Sequence, residues 1–284
     1  MGQPARLANA RLLTASLLVG LGLAEAGLRI ADISYPEFVR LGTERGWAPR
    51  PGVEGWWTRE GRAYNRINGE GFRDRAHSIA KPARSFRIAI LGDSYAAARA
   101  VPVENAFWSV LERRLSNCPA LGAIKPEVLN FGVSGYGTAQ GLMTLRNHVW
   151  KYQPDVVLMA FYTGNDVFTN SRELEGHTDR PYLALRDGLI EVDDSFRETD
   201  RYRWKSVWQE ARHSLINGVR VVQLVKEAYY RVKYRASGSV SRAGLDVPSK
   251  EDGVYLAPKD PVWQRAWEVT EEALRLMRDE VRAN

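Results

Sequence analysis

Residues 86–162 carry an alternation that few architectures accept. Residues 86–91, Phe-Arg-Ile-Ala-Ile-Leu, form a short apolar run that stops at Gly92, the pattern of a strand buried on both faces. Residues 104–115 follow with helical spacing, which puts Phe107, Val110, Leu111 and Leu115 on one side. A second strand is predicted at 128–131, then a glycine-rich turn, then a helix capped by Thr138 and running to about Trp150. Pro154 and Asp155 introduce a third strand at 156–162. Strand, helix, strand, helix, strand at this pitch predicts an α/β fold with a parallel sheet.

After Asn165 the rhythm stops, and residues from about 168 to 260 read as an insertion. Asp187-Gly188 between two apolar runs is a two-residue hairpin signal. Residues 204–235 look like one basic helix bearing Arg212, Arg220, Lys226, Arg231, Lys233 and Arg235, a composition usual for a solvated face. Residues 236–253 form a Ser/Gly-rich loop. Pro261 opens a last helix to about Arg282, with Trp263, Trp267, Leu274 and Met277 as apolar positions. Upstream, residues 35–82 are rich in Gly, Pro, Trp and Arg, an irregular lead-in with short strands packing on the domain at 83–284.

At 44% apolar and 26% charged residues over 284 positions, the chain is neither disordered, collagen-like nor polytopic. Its net charge of +6 is spread along the chain, so no nucleic-acid partner is implied. The single cysteine, Cys118, excludes an internal disulfide and a cysteine-based zinc cluster, and four histidines leave few candidates for a metal site. Residues 1–31 read as an export segment: Arg6 and Arg11 precede an apolar run at 12–23. Ala24-Glu25-Ala26 offers a small-x-small cleavage pattern, and the rival is an uncleaved anchor reaching Ile30. Either way the arginines stay in the cytoplasm and the rest is exported, to a periplasmic or secreted location or to the outer side of an inner membrane.

In an open parallel sheet, chemistry collects where the strands end. The first strand delivers Gly92-Asp93-Ser94; the second ends in a loop with Gly132, Ser134, Gly135 and Gly137; the third ends in Gly164-Asn165-Asp166. A hydroxyl, glycine backbone donors and a side-chain amide are the parts needed for nucleophilic attack on a carbonyl with a stabilised oxyanion. Each loop alone is also an ordinary strand-to-helix turn. All three in order resemble the blocks of the SGNH, or GDSL-type, serine hydrolases.

The resemblance covers about residues 60–284. It implies a three-layer α/β/α sandwich of flavodoxin-like type, with Ser94 as nucleophile and Gly135 N–H and the Asn165 amide in the oxyanion hole. Residues 68–74, the hairpin and the leader further resemble exported, membrane-associated members. Asp93 is expected to tie down the turn. The family takes its catalytic Asp and His from an Asp-x-x-His block after the last strand, and none follows Asp166. Asp74-x-x-His77 lies upstream of the nucleophile, Glu210-x-x-His213 sits in the basic helix, and His148 and His177 lack an obvious acidic orienter. The expectation is a fold incomplete at its C-terminus, from a longer esterase whose dyad lies in the absent part, and weak or no activity in this chain.

The substrate expected is a small acyl ester or an acylated extracytoplasmic glycan, and no cofactor is called for. Acyl transfer to a polysaccharide and a non-catalytic binding module are the alternatives. Trp47, Trp56, Trp57 and Tyr136 are candidates to stack on sugars, although packing is the commoner use of such residues. No Gly-x-x-x-x-Gly-Lys-Ser/Thr loop or dinucleotide fingerprint is present, which ranks a phosphate binder low.

Overall fold

A computed structural model describes residues 3–238 and 252–284. The chain begins with helix α1 (Gln3–Ile30). Two antiparallel pairs follow: β1 (Val39–Gly42) with β2 (Gly46–Pro49), and β3 (Glu54–Trp57) with β4 (Ala63–Arg66). The central segment runs β5 (Ser85–Gly92), α2 (Ser94–Ala97), α3 (Phe107–Ser116), β6 (Lys125–Asn130), α4 (Thr138–Thr144), β7 (Val156–Ala160) and α5 (Thr163–Asp166). Beyond it lie α6 (Arg172–Glu175), the hairpin β8 (Tyr182–Arg186) and β9 (Leu189–Asp193), then α7 (Asp200–Gly218), α8 (Arg220–Gly238) and α9 (Pro261–Ala283).

Strands β6, β5 and β7 form a parallel sheet in that order, with Ile88 opposite Val128 and Ile90 opposite Leu158. Side chains alternate across a strand, so the apolar run of β5 feeds two cores. Ala89 and Leu91 pack with Leu129, Leu142 of α4 and Val269, Ala273 and Met277 of α9. Ile88 and Ile90 pack on the other face with Val128 and with Trp108, Leu111 and Leu115 of α3. Helices thus cover both faces, as the α/β expectation requires. Full burial of Ile90 and Leu91 contributes about 1.5–3 kcal/mol each.

Several boundaries differ from the sequence expectations. Helix α3 starts at Phe107, after a tight turn at Val103–Asn105, and its inward stripe is Trp108, Leu111 and Leu115 while Phe107 is exposed. The Trp108 indole N–H donates to the Ala96 carbonyl at 3.0 Å, which fixes that rotation. Helix α4 is capped at Gly137, whose N–H donates to Gln140 Oε1 at 3.3 Å, and Thr138 is its first turn. Regular α-helix ends at Thr144, where the hydroxyl donates back to the Gln140 carbonyl, and a widened turn at Leu145–Val149 follows.

Strand β7 stops at Ala160 because the Tyr162 N–H donates to Asp166 Oδ2 at 2.7 Å and turns the chain into α5. The basic segment is two helices. Val219 between them is extended (φ −122, ψ 109), and the half-buried Asn217 side chain bonds the Glu37 backbone of the lead-in through both its amide atoms. The hairpin turn is as expected, with Asp187 (φ 51) and Gly188 (φ 78) both in the left-handed region that a two-residue turn demands. In α9 the most buried positions are Ala266, Val269, Thr270, Ala273 and Met277, with Trp263 and Trp267 half-buried at its first turns. Most of the predicted Ser/Gly-rich loop, residues 239–251, lies outside the described residues.

Candidate active site

The three predicted loops meet at the C-terminal edge of the sheet. Asp93 caps α2 by accepting the Tyr95 N–H on Oδ1 at 2.9 Å, which brings Ser94 to the first position of that helix. Its other oxygen, Oδ2, accepts from Asn165 Nδ2 at 2.8 Å. This buried carboxylate therefore joins the first loop to the third and leaves one Nδ2 hydrogen of Asn165 for another acceptor. Asp93 holds the turn, as its position in the sequence led us to expect.

The second loop lies against α2. A Cβ on Gly132 would stand 2.3 Å from the Cβ of Ala96, so only glycine permits that approach. Gly135 adopts φ +80, a conformation strained for any side chain, with the Trp47 ring beside it. The Trp47 indole donates to the Ser134 carbonyl at 3.1 Å, and the Tyr136 hydroxyl donates to the Trp47 carbonyl at 2.6 Å. Arg180, wholly buried, donates to the Gly135 carbonyl at 3.2 Å and to Gln140. The lead-in and the insertion thus clamp the peptide that carries Gly135 from two sides. Tyr136 and Trp47 are committed to this clamp, which removes Tyr136 as a sugar-stacking surface.

Ser94 is exposed on a cleft of about 750 Å3 that Ser134 also lines. Tyr35, Trp57, Arg59, Glu227 and Arg231 border the same space. The Ser94 hydroxyl has no hydrogen-bond partner among the described residues. A second hollow, about 620 Å3 between the β8–β9 hairpin and α9, contains none of the predicted site residues.

No histidine lines the Ser94 cleft among the described residues. Asp74 and His77 do form a pair, Oδ2 to Nε2 at 2.9 Å, with both side chains almost fully buried. The same Asp74 oxygen accepts the Asn130 N–H at 2.8 Å, so the pair pins the lead-in to β6. Neighbouring Arg73 donates to the carbonyls of Ala97, Ala98 and Val101, and its burial pulls the guanidinium pKa down to about 10. Glu210 is held by Arg50 at 3.2 Å and makes no bond to His213. His148 and His177 each have an acidic neighbour after all, Glu44 at 3.1 Å and Glu175 at 3.6 Å, supplied across the fold or by the turn. Burial lowers the pKa of His148 and of His213.

Two residues that support the loops were given no role from the sequence, Asp166 of the third block and Arg180. Asp166 is buried, and desolvation raises its carboxyl to about 7, with the neighbouring charge of Asp93 adding to the shift against the Tyr162 N–H. Arg180 sits in the insertion, where no periodicity marks it. Among the described residues no group of His, Cys, Asp and Glu has the arrangement of a metal centre.

No family model and no curated protein matches the chain. Among solved structures, part of the chain is similar to one described as "Crystal Structure of TesA" at 27% identity, covering 28% of this chain and 42% of that one. The TM-score is 0.25, and the match spans less than half of that chain's length.

Proposed function

We propose that this chain is a serine hydrolase of carboxylic esters, with Ser94 Oγ attacking the acyl carbon. That attack forms a tetrahedral intermediate with negative charge on the former carbonyl oxygen, and the N–H groups of Ser94 and Gly135 with the remaining Nδ2 hydrogen of Asn165 are its donors. The observation that carries this reading is the Asp93–Asn165 hydrogen bond, which ties the amide to the loop bearing an exposed serine. Collapse of the intermediate breaks the ester C–O bond, and the alcohol leaves with the proton given up by the Ser94 hydroxyl, carried by water or an added base; the acyl-serine left behind is hydrolysed by water to the acid or passes its acyl group to a sugar hydroxyl. Tyr35 and Trp57 at the cleft border favour an acylated glycan, and transfer to a polysaccharide hydroxyl would use the same acyl-serine.

A serine without a neighbouring base is a weak nucleophile. The absence of histidine from the cleft among the described residues therefore predicts slow turnover and favours, as second reading, a module that binds acylated polymer in the same cleft. Hydrolysis of p-nitrophenyl acetate by the full chain, with and without added imidazole, separates them. With the hydrolysis caused by imidazole alone subtracted, the hydrolase reading expects imidazole to raise a protein-dependent rate that Ser94→Ala abolishes. A rate equal in the wild type and Ser94→Ala, at every imidazole concentration, refutes it.

A further inference from the structure

Helices α7 and α8 are turned inside out for a protein surrounded by water. On α8, Val225, Tyr229 and Val232 fall on one face by the i, i+4, i+7 rule and are 62–69% exposed. The opposite face carries Gln223 and Glu227, exposed by 1% and 9%. Those polar groups are satisfied inward: Gln223 Oε1 accepts from Tyr35 N at 2.7 Å and from Ser34 Oγ at 3.2 Å, and Glu227 accepts from Thr58 and Arg231. Helix α7 repeats the arrangement. Trp204, Val207, Trp208 and Leu215 share its outer face, with the two indoles 64% and 58% exposed, while Tyr202 and Ile216 face inward.

The position of α1 says what lies against this face. Leu7–Ile30 is 24 residues of uncovered apolar helix, about 36 Å long against the roughly 30 Å of a bilayer's hydrocarbon core. Its last turn is fastened to the α7–α8 junction from both sides. Glu25 Oε2 accepts the Val221 N–H at 3.0 Å, Arg29 Nη2 donates to the Gly218 carbonyl at 2.6 Å, and Arg29 and Glu25 bond each other at 2.8 Å. The junction therefore stands beside the C-terminal end of α1. Residues 200–238 also hold nine basic side chains against three acidic ones, the sign that an anionic surface attracts.

We propose that the outer faces of α7 and α8 are seated in the interface of an anionic phospholipid bilayer, beside the exit of a retained α1. Val225, Tyr229, Trp204 and Trp208 enter the headgroup–acyl boundary, and the polar inner face of α8 supports the lead-in that borders the Ser94 cleft. Cleavage after Ala26 would discard Glu25 and with it one of the clasps. This inference does not depend on the chemistry assigned to Ser94.

The test uses the full chain carrying Cys118→Ser, reconstituted in phosphatidylcholine–phosphatidylglycerol vesicles. Single cysteines replace Val207, Val225 or, as control on α9, Glu271, and each is labelled with a nitrobenzoxadiazole fluorophore. The expected result is that doxyl-labelled lipid removes more than half of the emission at 207 and 225, which resist aqueous iodide, while the 271 probe shows the reverse. Iodide quenching at 207 and 225 without lipid quenching would overturn the proposal. Shielding from both quenchers would also overturn it, because a second copy or another protein segment would then be the cover. If a cysteine variant does not fold, Trp204→Phe/Trp208→Phe gives the same decision: the lipid-quenchable share of tryptophan emission falls if the proposal holds and is unchanged if it does not.

Discussion

Asp166 and Asp93 are two buried carboxylates behind one serine, and their partners divide their roles. Asp93 spends both oxygens on N–H donors of the first and third loops. Asp166 has one oxygen on the Tyr162 N–H and the other without a partner. Desolvation raises its pKa from the ordinary 3.8 to about 7. Between those values the folded chain keeps a proton that the unfolded chain releases, so this group's contribution to stability is full below the lower value and is lost as pH rises through the upper one. Between about pH 5 and about pH 8 the Tm should therefore fall by several degrees more in the wild type than in Asp166→Asn, as scanning calorimetry would show. An equal pH dependence in both proteins would contradict the assignment. At this scale the sequence was informative where residue type is chemistry: Ser94, Gly135 and Asn165 stand in loops that meet. It was silent on Arg180 and on the acidic neighbour of His148, because those partners come from chain segments over a hundred or tens of residues away and no local pattern specifies them.

At the scale of elements, the site depends on how closely the second loop can approach α2. Gly132 occupies that contact, and a methyl group there would collide with the Ala96 side chain and the backbone of Ala96 and Ala97. Gly132→Ala should destabilise the fold by about 1–3 kcal/mol, the usual cost of forcing extra volume into a packed contact, measurable as a lower denaturation midpoint. Wild-type stability in that variant would mean the loop is held less tightly than described. The strands were legible because a buried parallel strand must be a short apolar run, and β5, β6 and β7 are such runs. Helix limits were less so. The Thr144 hydroxyl bonds its own helix where α4 gives way to the widened turn, and Asn217 bonds the lead-in at the break before α8, two contacts that propensity does not encode.

Over the whole molecule, a small parallel sheet is surrounded by segments that hold its loops in place. The lead-in braces α2 through Arg73 and the second loop through Trp47; the insertion reaches the same loop through Arg180; α8 borders the cleft. The alternation of strands and helices predicted the sheet, but the enclosing role of residues 35–82 and 168–238 rests on long-range contacts that a linear pattern does not contain. The central claim is that Ser94 is a nucleophile whose oxyanion is met by Asn165. It is tested most directly by incubating the full chain with a fluorophosphonate and imidazole, then mapping the adduct by peptide mass spectrometry. The expected result is a single adduct on Ser94, formed about a hundredfold or more slowly in Asn165→Ala because one oxyanion donor is lost. An adduct elsewhere, or none on Ser94 while the protein remains folded, would contradict it.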